Sequence, residues 1–127
     1  MENPLLAAWH DVIARNDAGA LHALLAEDAC FHSPVLHRPQ LGRDLTHLYL
    51  SAAMKVFEGS GFRYVREVAS GHDAVLEFVA TIDGIEINGV DMIHWDAWGR
   101  IDDFKVMVRP LKGMEKLREK MAAMLSA

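Results

Sequence analysis

Residues 88–100 read NGVDMIHWDAWGR, and the fold turns on how this run alternates. In an extended strand, successive side chains point to opposite sides of the sheet. Ile87, Gly89, Asp91, Ile93 and Trp95 therefore share one face, and Val90, Met92 and His94 the other. Neither face is plainly the wet one. A carboxylate beside Ile93 and Trp95 is paired, open to water, or retained for chemistry, because burying it bare is costly.

Working outward, the second half of the chain reads as four strands, 62–69, 74–82, 85–95 and 100–109, joined by SGHD, DG and DAWG turns. Asp83-Gly84 is a strong signal for a tight hairpin. In the first half, Asn3 before Pro4 caps a helix carrying Leu5, Trp9, Val12 and Asn16 at helical spacing. Asp17 caps a second helix with the stripe Leu21, Leu24 and Leu25, which Glu27-Asp28 is expected to end. A short strand, 29–32, runs into Ser33-Pro34. The segment VLHRPQLG reads as a loop, because Pro39 and Gly42 punctuate it. A third helix starts near Arg43 and stops at EGSG. After Pro110, Leu111, Met114, Leu117, Met121 and Met124 mark a terminal amphipathic helix whose methionines are read as packing.

Helices followed by an antiparallel meander make an α+β fold, a single domain over residues 1–127, with the helices gathered on one sheet face. That inner face holds Leu76, Phe78, Ala80, Ile87, Asp91, Ile93, Trp95, Phe104, Val106 and Val108. The outer face mixes Val75, Val79, Val90, Met92 and Met107 with a few charges. Such a patch is better covered than wet, which predicts a homodimer through the outer sheet face.

Composition narrows the classes. A chain of 127 residues, 51% hydrophobic, suffices for one core. A net charge of −5 with scattered Lys and Arg predicts no nucleic-acid partner. No apolar run is long enough for a bilayer span, and the start carries an acid where a signal peptide needs positive charge. No membrane association and a cytoplasmic location are expected. The single cysteine, Cys30, is read as a small inert buried thiol. The seven histidines form no H-x-H, H-x-x-x-H or HExxH pattern, so neither a metal nor a cofactor is predicted. His94 and His32 fall on the outer face. His37, in the loop after Ser33, is a candidate general base, and His47 is a weaker one.

In this order of elements, ACFHSPVLHRPQLG and VDMIHWDAWGRIDDFKVMVRP resemble the superfamily of ketosteroid isomerase, SnoaL-type polyketide cyclases and nuclear transport factor 2. The resemblance covers nearly the whole chain. It implies a cystatin-like cone, whose strongly curved, antiparallel-rich sheet carries helices on its concave face and encloses an apolar pocket, usually in a dimer. It also implies that Asp91 stands where the isomerases keep a protonated oxyanion-hole acid, a role that comes with the resemblance and not from spacing. By the same comparison Ser33 occupies the place of the isomerase base, and Trp9 that of its tyrosine. Val106 falls where the cyclases and related epoxide hydrolases hold a working acid.

The resulting candidate site consists of Asp91 and His37 for chemistry, with Trp9, Ser33, Phe78, Trp95, Phe104 and Val106 around a ligand. One reading is a dimeric pocket protein that binds a small hydrophobic ligand without the known isomerase or cyclase catalytic set. The alternative is an isomerase, cyclase or lyase acting on a small hydrophobic carbonyl or polyphenolic substrate, with Asp91 as oxyanion donor.

Overall fold

Asn3 Oδ1 accepts hydrogen bonds from the backbone N–H groups of Leu5 and Leu6, and helix α1 (Pro4–Arg15) starts there. The structure, a computed structural model, describes residues 3–126. Asn16 ends α1 in the left-handed conformation, and Asp17 Oδ1 accepts from Ala20 N–H to start α2 (Ala18–Leu24). The expected stop at Glu27-Asp28 comes too late. The chain extends at Leu25, and strand β1 covers Leu25–His32. Leu25 and Ala29 are fully buried, and Leu25 pairs with Ile101 in the sheet, so tertiary burial overrides the helical continuation. Glu27 and Asp28 lie exposed where the β1 register shifts.

The segment read as a loop contains a short strand, β2 (Gln40–Leu41), paired antiparallel with Cys30 and Phe31. Gly42, at φ 100°, then turns the chain into α3 (Arg43–Phe57), and the buried Thr46 hydroxyl donates to the Ala29 carbonyl. The later strands follow the expected runs to within about a residue: β3 (Arg63–Ser70), β4 (Asp73–Ile82), β5 (Ile85–Trp95) and β6 (Ile101–Arg109). Asp83 and Gly84 both adopt positive φ, as a two-residue hairpin turn requires. Helix α4 (Leu111–Leu125) closes the chain.

The six strands form one curved, unclosed sheet in the order β2-β1-β6-β5-β4-β3. All neighbours are antiparallel except β1 and β6, which run parallel. The inner face of β4, β5 and β6 is buried as the alternation predicts. Leu76, Phe78, Ile87, Ile93 and Phe104 lie beneath the helices, while Val75 and Met107 are exposed on the outer face. Two apolar clusters fill the interior, one around Trp9, Leu21, Leu25, Trp95 and Phe104, the other around Phe78, Ile82 and Ile87. Tyr64 and Val106 pack against both. Among the described residues no helix is long and apolar enough to cross a membrane.

Candidate functional site

A cavity of about 480 Å³ lies between the concave sheet face and the helices. Trp9 of α1, Ser33 just past β1, Met54 of α3, Tyr64 of β3, Phe78 of β4, Asp91 of β5, Val106 of β6 and Leu117 of α4 are among its walls. Asp91 stands mid-sheet, level with Leu76 on β4 and Val106 on β6. It is only 6% exposed, and it is the one charged residue buried among the described residues.

Its partner is Tyr64. The phenol O–H donates to Asp91 Oδ2 at 2.6 Å, and the Trp9 indole N–H donates to the Tyr64 oxygen at 3.1 Å. Tyr64 pairs with Phe78 on β4, so its ring must reach past β4 to meet β5. A register shift between Tyr64 and Arg66 re-aims the strand at that point, as bulges do. Gly89 assists from below. A Cβ there would stand 2.5 Å from Phe78 Cζ and 2.8 Å from the Met107 carbonyl oxygen, so only glycine lets the Phe78 ring lie against the strand.

Burial raises the Asp91 carboxyl to about 7, and the Tyr64 hydrogen bond pulls in the opposite direction without winning. No cation offsets the burial, since only Tyr64 hydrogen-bonds this carboxyl among the described residues. Burial, followed by the neighbouring Asp91 charge, pushes the Tyr64 phenol well above its ordinary range, so it stays a donor. The arrangement is a one-way chain, Trp9 to Tyr64 to Asp91. In its neutral form Asp91 can donate its own proton into the cavity from the oxygen that Tyr64 does not hold.

Of the residues named from the sequence, Asp91, Trp9, Ser33, Phe78, Phe104 and Val106 line the cavity. Trp95 does not. It shares the Asp91 face, but it lies 2% exposed in the packed cluster with Leu21 and Leu25, at the filled end of the cone. His37 is exposed and lies outside the cavity wall; pairing of β2 with β1 holds the end of its loop at the sheet edge. His47 is engaged structurally, its Nε2 lying 2.6 Å from the Ala18 carbonyl oxygen and 3.2 Å from Ser51 Oγ. On the outer face His94 pairs with Asp102, whose hydrogen bond raises the imidazole, and His32 pairs with Asp103. Cys30 is half-buried, and burial, with Asp103 second, pushes its thiol up.

Tyr64 is the residue that sequence reasoning missed. The one available signal was the Phe62, Tyr64 pair at strand spacing, two aromatics on one face. Nothing local ties it to a carboxyl 27 residues later.

The SnoaL-like domain family model matches residues 6–104, from α1 into β6. A solved steroid delta-isomerase from Pseudomonas aeruginosa is 43% identical, with a TM-score of 0.92 over 97% of this chain and 90% of that one. A bacterial protein with a cystatin-like fold from Silicibacter pomeroyi is 38% identical, with a TM-score of 0.87 over 94% of this chain and 84% of that one. The epoxide hydrolase/cyclase-like enzyme SalBIII, which takes part in pyran ring formation in salinomycin, shares the fold at 17% identity and a TM-score of 0.67, covering 84% and 88% of the two chains. No curated protein matches. With the family model spanning α1 through the Asp91 strand and the cone described above, the chain belongs to the SnoaL-like domain family.

Proposed function

We propose that this protein binds a small apolar compound with one carbonyl or phenolic oxygen, which the Asp91 carboxyl holds inside the cavity. The observation that carries the reading is a lone buried acid, poised near neutrality by burial and fixed by Tyr64, in an otherwise largely apolar chamber. Such a chamber with few convergent polar groups is the usual form of a small-molecule site. Neutral Asp91 donates to the ligand oxygen, Tyr64 and Trp9 keep the carboxyl oriented, and Phe78, Phe104 and Val106 cover the apolar body.

An aryl ketone that does not itself titrate, such as an acetylnaphthalene, tests this by fluorescence titration from pH 6 to 9. Affinity is expected to hold below pH about 7 and then to fall by about tenfold per unit as Asp91 loses its proton. In Asp91→Asn the profile becomes flat. A flat profile in the unaltered protein rejects Asp91 as the donor.

A second reading is an isomerase that moves a proton between carbons. It is favoured by the 43% identity to a structure described as a steroid delta-isomerase, and by a carboxyl near 7, well matched to taking and returning a proton at neutral pH. On this reading Asp91 leaves the oxyanion-donor role for that of the base, which Ser33 cannot fill: its ionised carboxylate takes the proton from the carbon between a carbonyl and an alkene and returns it at the far end of the alkene, giving the conjugated ketone. Ultraviolet absorbance with a β,γ-unsaturated 3-oxosteroid decides. Conversion abolished in Asp91→Asn supports the isomerase, and no conversion above buffer leaves binding alone.

The outer sheet face, where Val75 and Met107 lie exposed, supports pairing of two copies back to back.

A further inference from the structure

We propose that Cys30, His32 and Asp103 form a site for one zinc-type divalent cation on the outer face of the sheet, apart from the cavity. Cys30 and His32, two residues apart on β1, project to the same side, and Asp103 is the register partner of Cys30 on the parallel strand β6. The donor atoms Sγ, Nε2 and a carboxylate oxygen all lie within 4.8 Å of one another.

The arrangement around His32 separates a metal site from a nucleophilic triad. A triad uses both ring nitrogens, one toward the nucleophile and one toward the acid. Here both partners face the same atom, Nε2, with Sγ at 3.5 Å and Asp103 Oδ1 at 2.8 Å. That convergence leads to a common point and not to a relay. A tetrahedral zinc with ordinary Zn–S and Zn–N bonds sets sulfur and nitrogen about 3.5 Å apart, the separation already present. Its nitrogen–oxygen edge is about 3.4 Å, so the Asp103 contact opens by about half an ångström, a small swing for a half-buried carboxylate.

Thiolate, imidazole and carboxylate together suit zinc or cobalt over magnesium or calcium, which take oxygen ligands. Adjacent strands hold all three donors at the β1–β6 side of the outer face, apart from the patch of Val75 on β4 and Met107 further along β6, and each is partly open to solvent, giving the ion a path in. Three protein ligands leave a fourth position for water. Lys105, the register partner of His32, is the nearby cation that the incoming charge must tolerate.

Cobalt(II) titration of reduced, tag-free protein tests the site. A thiolate-to-cobalt charge-transfer band and intense tetrahedral visible bands are expected, saturating at one ion per chain and bleached by zinc. Cys30→Ser removes the charge-transfer band, while His32→Ala and Asp103→Asn each weaken binding by about tenfold or more. Far-ultraviolet circular dichroism of each variant confirms that the fold is kept. Absence of the band in the unaltered protein overturns the proposal, as does undiminished affinity in both His32→Ala and Asp103→Asn, which would mean a lone thiol binding metal. None of these residues touches the cavity, so this outcome and the ligand reading stand or fall separately.

Discussion

Burial of Asp91 makes part of the stability of the fold depend on pH. Its folded value of about 7 lies above the ordinary 3.8, so between those limits the unfolded chain has released a proton that the folded one keeps. The contribution of this group to stability is therefore complete below pH about 4, declines as pH rises to about 7, and is level beyond. Roughly three units at 1.36 kcal/mol each make the decline about 4 kcal/mol. Asp91→Asn is expected to match the parent at pH 4 and to exceed it by up to that amount at pH 8, measured by urea unfolding at both values. Equal stabilities at pH 8 would mean the carboxyl is hydrated. Tyr64→Phe removes the one hydrogen bond that favours the charged carboxylate. Its loss, worth about 1.5 kcal/mol, should lift the Asp91 midpoint by about one unit, read by carbon NMR of the side-chain carboxyl.

At the level of elements, the β4–β5 hairpin positions the site. Leu76 pairs with Asp91 and Phe78 with Gly89, so the acid and the ring that flanks it are set by one register. Gly89→Ala drives a methyl into Phe78 and the Met107 carbonyl, and the Phe78 ring has to leave its place in the cavity wall. A cost of about 1–3 kcal/mol is expected, with weakened binding of the ketone probe, because overpacking displaces side chains. Unchanged binding would place the ligand away from Phe78. Helix α1 is legible for local reasons: Asn3 caps it and Trp9 and Val12 bury one stripe. Strand β1 was only half legible, because Leu25 and Ala29 fit a helix stripe as well as a strand, and only burial against the sheet decides between them.

For the whole molecule, α4 packs across α3, β5 and β6, and Leu117 and Met121 form part of the cavity wall. Gly113 permits that approach, since a Cβ there would stand 3.1 Å from the Glu86 carbonyl oxygen. The exposed outer face predicts association. Light scattering after size exclusion is expected to give a dimer at micromolar concentration, and Met107→Glu to give a monomer with unaltered cavity binding. A monomeric parent protein removes the outer face as an interface.

The alternation of residues 74–109, the Asp83-Gly84 turn and the helix caps determined the α+β order of elements, because each acts within a few residues of itself. The same alternation placed Asp91 on the buried face. It could not supply Tyr64, nor remove Trp95 and His37 from the cavity wall, nor gather Cys30, His32 and Asp103. Those outcomes depend on which strands become neighbours and how far the sheet curves. Curvature and strand order are fixed by packing the whole interior at once, and they alone bring a phenol from β3 to an acid on β5.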